Sequence, residues 1–327
     1  MDNNNKRKQV KERFGCFLKN NIAFVSLLIL IILFWIWAGP NFMSRKNWTY
    51  ISQQLPVVGI LAIGMTFAVT GGYIDLSVGS SLGLAGYFAA LGIQRYGPIG
   101  VVFGLVTPVI IGFVNGALFA YLKIPSFVTT LSTQVIIRAV LMIISNGSAV
   151  YISEGMATTG KSNNWLTNIG KFPYVFFIAL FVLIIAHIIY NKTTFGWNLR
   201  AIGGNEAVVS LFGLQLMPFK TAVFGLVGFF VGIAALVNLG RVGAATTVSG
   251  QGMELDAISA VVLGGTPLTG GYGSVVKTFV GALSLVVLSN GITLAGIAPS
   301  WNNVAKGLLL IIAVAVALDR KKIGIVK

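Results

Sequence analysis

Long apolar stretches recur along the whole chain, separated by short segments rich in Gly, Pro or charged residues. A hydrocarbon layer of roughly 30 Å requires about 20 apolar residues per α-helical crossing. Of the 327 residues, 56% are hydrophobic and only 9% are charged, which leaves too little polar surface for a water-soluble protein. The chain is therefore predicted to be an all-α membrane protein.

Hydropathy, with Gly, Pro and charge as boundaries, predicts ten transmembrane helices. They lie near 22–39, 50–70, 75–93, 98–121, 125–145, 173–190, 219–240, 256–269, 274–295 and 301–318. The eighth is short and rich in Gly, which favours a broken or re-entrant segment that protein surrounds. The predicted membrane domain is 22–319, and it includes one long polar loop, 191–218, on the inner side.

The net charge of +15 comes largely from basic residues at the ends of apolar stretches, above all in the segments 1–21 and 320–327. Basic residues beside membrane spans are typical of the cytoplasmic side. We therefore expect a multi-pass protein of the bacterial cytoplasmic (inner) membrane with both termini in the cytoplasm and in contact with the lipid bilayer. No basic patch is interleaved with aromatic residues, so no nucleic-acid partner is expected. A lone Cys16 provides no disulfide framework.

The two halves of the chain share short motifs in the same order. The matched segments are 71–75 with 252–256, 96–102 with 272–276, and 115–127 with 290–301. On the predicted topology the two copies, about 50–145 and 219–318, cross the membrane in opposite directions. Such an inverted repeat is typical of transporters, whose halves exchange inward-open and outward-open shapes.

Each half has an acidic residue where a span begins. Asp75 follows Gly71 and Gly72 and is expected in a first helical turn, where the helix dipole favours a carboxylate. Asp256, with Glu254 beside it, is expected to hold the matching position at the outer face. Two interpretations stay open for these acids: a helix start near a membrane face, or a gating contact with a basic group. No carboxylate is evident in the middle of a span.

Motifs of enzymes are absent or in the wrong setting. The segment 79–83 fits G-x-S-x-G, but that pattern requires a strand-to-helix turn and a His base, and the only histidine is His187. No phosphate-binding G-x-x-x-x-G-K-[ST] motif occurs, and no cluster of metal ligands is evident. We therefore predict no catalytic activity, no metal and no bound cofactor, and any ATP is expected to be hydrolysed by a partner subunit.

Uncharged polar residues within the spans are candidates to line a pathway for a hydroxyl-rich neutral solute, although each could equally bond a neighbouring helix. These candidates are Thr66, Thr70, Ser77, Asn115, Ser132, Asn238 and Asn290. Arg138 is the most costly polar residue in a span, and it is expected to face the interior of the bundle or to extend to an edge.

The inner loop contains a short amphipathic helix. Asn205 can cap it after Gly204, Glu206 falls in its first turn, and Gly213 ends it. Its apolar side chains are those of Val208, Leu211 and Phe212. Such a helix can dock in a groove of a partner protein or lie on the lipid surface.

Four segments together resemble the membrane permeases of ribose-type bacterial ABC sugar importers. They are GGYIDLSVGSSLGLAG at 71–86, KIPSFVTTL at 123–131, AIGGNEAVVSLFG at 201–213 and GMELDAISAVVLGGTPLTGGYGSV at 252–275. The resemblance covers roughly residues 50–320. Tyr73 departs from the small residue expected at its position, which leaves the identity of the solute open.

The resemblance implies the permease subunit of an importer that moves a monosaccharide, a pentose or hexose. Its implied partners are a cytoplasmic ATP-binding subunit, an extracytoplasmic sugar-binding protein and a second permease copy, identical or similar. Glu206, Ala207 and Gly213 then resemble the E-A-A…G loop that couples importers to their ATPase. Alternatives are a permease for nucleosides or branched-chain amino acids and a secondary transporter driven by an ion gradient.

Overall fold

A computed structural model of the chain describes residues 21–152, 164–298 and 300–317. These residues form an all-α bundle, as predicted. The helices are α1 (Ile22–Ala38), α2 (Arg45–Thr70), α3 (Val78–Tyr96), α4 (Val101–Tyr121), α5 (Ser126–Ser145), α6 (Asn164–Ile169), α7 (Tyr174–Lys192), α8 (Thr194–Gly204), α9 (Glu206–Leu211), α10 (Leu216–Val242), α11 (Met253–Leu263), α12 (Val275–Leu294) and α13 (Ser300–Ala317). Apart from Asn21, the predicted basic tails lie outside the described residues.

Two very short strands join loops at one end of the bundle. Strand β1 (Val150–Tyr151) pairs antiparallel with β2 (Ala244–Ala245), with Val150 opposite Ala245. This pairing ties the segment after α5 to the segment after α10.

Seven helical stretches in the described part of the chain are long and apolar enough to cross a membrane. One of them, Val78–Tyr121, has 44 residues and includes both α3 and α4. Each of the ten predicted spans coincides with a helix, but α11 has only 11 residues. At 1.5 Å per residue it rises about 16 Å, roughly half a hydrocarbon layer. The predicted break in the eighth span is therefore confirmed.

Glycines let α4 and α10 pack with their backbones close together. A Cβ atom on Gly112 or Gly116 would lie within 3.0 Å of the backbone of α10, and one on Gly228 would meet the backbone of Pro108. These small residues at intervals of four are therefore helix-packing contacts. By contrast, α1 and α5 carry many exposed aliphatic side chains, as expected of surfaces that face lipid.

Candidate functional site

The loop between α7 and α10 positions a short helix at one end of the bundle, which we call the α9 end. Thr193 caps α8 by accepting a hydrogen bond from the Gly196 amide at 3.3 Å. Asn205 caps α9 by accepting one from the Val208 amide at 3.2 Å, and Glu206 lies in the first turn. The chain leaves α9 through Gly213, whose φ of +85° suits glycine. The predicted cap, first turn and end of this helix are confirmed.

The apolar side chains of α9 point away from the bundle. Leu211 and Phe212 are 86% and 87% exposed, and Val208 is also exposed. Gly204, Ala207 and the Asn205 cap are exposed beside them. Because adjacent exposed apolar side chains on an ordered helix gain free energy when they are covered, this end of α9 is a candidate docking surface.

Helix α8 fixes that surface to the end of α2. Gly203 of α8 lies so close to the Thr70 carbonyl oxygen that a Cβ atom would overlap it. The same carbonyl accepts a hydrogen bond at 2.9 Å from the amide of Gly271, in the loop between α11 and α12. The Thr70 hydroxyl bonds the Tyr190 hydroxyl at 3.1 Å, and Arg200 donates to the Tyr190 carbonyl at 2.6 Å. Gly203, which the sequence prediction omitted in favour of Gly204, is therefore the glycine in direct contact with the bundle.

A second contact joins α9 to the bundle through Lys220. Its ammonium group pairs with Glu206 at 2.5 Å and lies 4.9 Å and 5.8 Å from the ring centroids of Phe119 and Tyr73. Tyr73 belongs to the non-helical segment 71–77 that separates α2 from α3. Lys220 thus links Glu206 of α9 to Tyr73 of that segment through an ion pair and a cation–π contact.

The segment 71–77 is a break inside the bundle, held by polar side chains of α4 and α5. Asp75 accepts hydrogen bonds from the Ser77 amide at 2.9 Å and the Ser77 hydroxyl at 2.6 Å. Asn115 donates to the same hydroxyl at 2.9 Å and accepts from Thr133 at 2.7 Å. The Thr130 hydroxyl accepts from the Leu76 amide at 3.1 Å. These bonds satisfy backbone and side-chain groups that lipid could not.

The prediction that Asp75 lies in a first helical turn is wrong. Helix α3 begins at Val78 and has no acidic residue in its first turn, and Asp75 is 3% exposed. The carboxylate is stabilised by the hydrogen bonds from Ser77 rather than by the helix dipole. Gly71 and Gly72 ended α2 as expected, but a further non-helical stretch separates them from α3.

A matching break lies between α10 and α11. Gly250 and Gly252 adopt φ of +73° and +78°, and α11 begins at Met253. Glu254, 8% exposed, accepts a hydrogen bond from Gln134 at 3.0 Å. Because Gln134 lies near the middle of α5, α11 begins deep in the bundle. The expectation that Glu254 lies at an outer face is therefore wrong, and both Glu254 and Asp75 are buried carboxylates that were not evident from the sequence.

Arg138 closes this second break from α5. Its guanidinium donates to the Ser249 carbonyl at 2.7 Å and to the Thr247 carbonyl at 3.3 Å. It faces the interior of the bundle, the first of the two orientations predicted for it. The two non-helical carbonyls thereby gain a charged donor, which offsets part of the cost of placing both groups away from water.

The two breaks touch each other. A Cβ atom on Gly79, in the first turn of α3, would overlap the Gly250 carbonyl and the carboxylate of Glu254. From this crossing α3 runs away from the α9 end, since Tyr87 donates to the carbonyl of Ile144 near the far end of α5. Helix α11 runs toward the α9 end, where the loop that follows it reaches Thr70. Two helices of opposite direction therefore begin side by side inside the bundle.

Asp256 lies in the first turn of α11, as predicted, and it also has a basic partner. Lys306 of α13 donates to its carboxylate at 2.8 Å. The sequence offered no signal for this partner, since the two residues are 50 positions apart. The structure thus shows Asp256 both in a helix start and in contact with a basic group, whereas its position relative to a membrane face and any role in gating stay predictions.

The seven candidate pathway residues do not form one continuous surface. Thr66 donates to Thr278, and Asn290 donates to Asn47, so these two residues join α2 to α12. Asn238 accepts from Arg241, while Ser132 is exposed on α5. Ser77 and Asn115 hold the first break, and Thr70 holds the α8 contact. Among the described residues no group of three or more His, Cys, Asp or Glu could hold a metal ion.

Helices long and apolar enough to cross a membrane, two crossed breaks and an exposed apolar helix are the features of a multi-pass membrane protein. The chain belongs to the family described as "Branched-chain amino acid transport system / permease component", whose model matches residues 47–314. The family is a transport permease component, and the resemblance found in the sequence is confirmed.

Curated relatives match nearly the whole chain. The ribose import permease protein RbsC of Escherichia coli K12 is 35% identical over 311 residues, covering 94% of this chain and 95% of that protein. The galactose/methyl galactoside import permease protein MglC of Escherichia coli K12 is 31% identical, with 93% and 96% covered. The xylose transport system permease protein XylH of Haemophilus influenzae Rd is 30% identical, with 92% and 96% covered. No solved structure matches the chain significantly.

Proposed function

We propose that this chain is the permease subunit of an ATP-driven importer that passes a monosaccharide across the bacterial cytoplasmic membrane. Its relatives are named as import permeases for ribose and galactose and as a transport permease for xylose, which supports a sugar rather than a nucleoside or an amino acid. The subunit changes no bond. A cytoplasmic ATP-binding subunit hydrolyses ATP, an extracytoplasmic binding protein delivers the solute, and a second permease copy completes the pathway.

The observation that carries the proposal is the exposed apolar end of α9, on a loop whose helix α8 packs against the end of α2. An importer needs a surface that receives movement from its ATPase, and Leu211 and Phe212 present one. The α9 end and both termini are then cytoplasmic. The two crossed breaks support the inverted repeat, with halves at about 50–145 and 219–318, as the element that alternates between inward-open and outward-open shapes.

Uptake by the reconstituted complex tests this function. The permease, its cognate ATP-binding subunit and its binding protein are placed in proteoliposomes with labelled D-ribose, D-xylose, D-galactose, uridine or leucine. We expect uptake of at least one sugar, dependent on ATP and on the binding protein. Uptake of uridine or leucine alone would replace the proposed solute class.

An ion-driven carrier is the second candidate, because Asp75 and Glu254 supply buried carboxylates. Both already accept hydrogen bonds from neighbouring side chains, which favours a structural role. The same proteoliposomes separate the two candidates. A carrier would move solute under an imposed proton or sodium gradient with neither ATP nor partner proteins.

Changing Leu211 and Phe212 to Asp is expected to abolish binding of the ATP-binding subunit. Each side chain loses the burial of an apolar anchor, so the two changes together weaken binding by roughly a hundredfold or more. Co-purification with the tagged ATP-binding subunit measures the loss. Tyr151→Asp is the matched control, because Tyr151 is 48% exposed but lies in β1, away from the α9 end. Full binding by the double variant would show that α9 is not the docking surface.

A further inference from the structure

A polar pocket of about 350 Å³ opens among α2, α10, α11, α12 and α13. Its polar lining combines positive, negative and neutral groups, and its apolar lining comes mainly from α2 and α12. The polar residues are Gln54, Arg241, Asp256, Ser289, Asn302, Asn303 and Lys306. The volume falls at the lower end of the roughly 300–1,000 Å³ that small-molecule sites occupy.

The pocket lies far from the α9 end. Gln54 and Thr70 are both on α2, and the 16 residues between them correspond to about 24 Å of helix. Thr70 contacts α8 at the α9 end, whereas Arg241 is in the last turn of α10, near the opposite end. If α9 faces the ATPase, the pocket opens toward the side from which the binding protein delivers its solute.

Two polar atoms of the pocket lining are buried without a partner among the described residues. They are the Nε of Arg241, a donor, and the Oδ1 of Asn302, an acceptor. An unpaired buried polar group costs free energy, so this donor and acceptor are free to bind a partner other than the described residues. Beside them the Asp256–Lys306 pair, with side chains 16% and 25% exposed, presents a carboxylate and an ammonium group.

This combination suits a sugar. A monosaccharide ring carries hydroxyls that donate and accept at once, and its C–H face packs on apolar side chains such as Val57 and Leu285, which also line the pocket. A solute that carries charge of only one sign would leave either Asp256 or Lys306 facing a like charge. A neutral polyhydroxylated solute can bridge both groups and also reach the unpaired atoms of Arg241 and Asn302.

We infer that this pocket is an outer binding site for a monosaccharide, formed within a single permease subunit by the first turn of α11 and by α13. The inference rests on the proposed function and names the site that receives the solute first. Because Asp256 and Met253 both line the pocket and belong to the first turn of α11, an occupied pocket contacts the helix that begins at the crossed breaks.

Protection of an introduced cysteine tests the site. In a Cys16→Ser background, Asn303→Cys places a thiol in the pocket lining, and a membrane-impermeant thiosulfonate labels it in the purified full-length permease. An excess of D-ribose, D-xylose or D-galactose is expected to slow labelling, relative to an equal osmolarity of glycine betaine. Val304→Cys is the matched control, because Val304 is exposed on the same helix but does not line the pocket.

Asn302→Ala, added to the Asn303→Cys protein, separates a binding role from a structural one. Asn302 is outside the Asp256–Lys306 pair, so the variant is expected to keep its thermal stability while the sugar concentration needed for protection rises about tenfold. If Asn303→Cys is labelled as fast with each sugar as with glycine betaine, the outer site is overturned. If the reconstituted complex takes up sugar but no sugar slows the labelling, the outer site is contradicted and the proposed function stands. No sugar uptake at all would contradict the proposed function itself.

Discussion

Gly79→Ala is expected to abolish transport, because the new Cβ atom has no space where the two breaks cross. It would lie closer than 3.0 Å to both the Gly250 carbonyl and the Glu254 carboxylate. The carbonyl belongs to a backbone that Arg138 already holds through its neighbour Ser249, so it cannot move aside cheaply. We expect a loss of about 3 kcal/mol in stability, the upper range for overpacking a close-packed site.

Gly86→Ala is the matched control for that variant. Gly86 is buried in the same helix, but the nearest atom to its added Cβ is the Cβ of Ala245 at 4.0 Å. Because alanine favours a helix over glycine by about 1 kcal/mol, this variant should be as stable as the parent or more so. Thermal unfolding in detergent and ATP-driven uptake measure the two effects. Equal behaviour of the two variants would show that the crossing is not tightly packed.

The sequence predicted those parts of the fold that depend on local pattern. Apolar length located the helices, and the capping residue Asn205 and the terminating Gly213 located α9 within one residue at each end. Because both signals act over a few neighbouring residues, they can be recognised in the sequence without knowledge of the tertiary structure.

What the sequence could not show is which distant groups share a contact. Asp75 was assigned to a first helical turn because a Gly pair followed by an acid is typical of a helix boundary, yet α3 begins only at Val78. Just before that start, the Leu76 amide donates to Thr130 of α5 and the Ser77 hydroxyl accepts from Asn115 of α4. Glu254 was placed near a face for the same reason, and its depth depends on Gln134 of α5.

The pathway candidates were chosen by residue type alone, which does not distinguish a solute contact from a helix contact. Thr66 and Asn290 both bond another helix in the structure. Several buried polar atoms of the described residues have no partner, and the two that also line the outer pocket, on Arg241 and Asn302, were recognisable only after the helices around them were in place. Their unpaired atoms, rather than their residue types, mark the outer pocket.

Gly203→Ala is expected to uncouple ATP hydrolysis from transport. The added Cβ would overlap the Thr70 carbonyl and come within 2.5 Å of the Gly271 amide, so the end of α8 must move away from α2. That movement breaks the contact between α8 and α2 that holds α9 in place, but it leaves the exposed side chains of α9 unchanged. Leu211 and Phe212 remain available to the ATPase, but a displaced α9 no longer transmits movement through Lys220 to the 71–77 break.

Gly204→Ala provides an unusually close control, because an added Cβ on the next residue meets nothing within 4 Å. We expect both variants to insert in the membrane and to bind the ATP-binding subunit. Only Gly203→Ala should lose ATP-driven uptake. The loss is at least about tenfold if the displaced contact lowers the coupling free energy by more than about 1.4 kcal/mol. Uptake at the parental rate in both variants would show that α8 does not transmit the movement. Loss of ATPase binding by Gly203→Ala would instead assign this contact to docking.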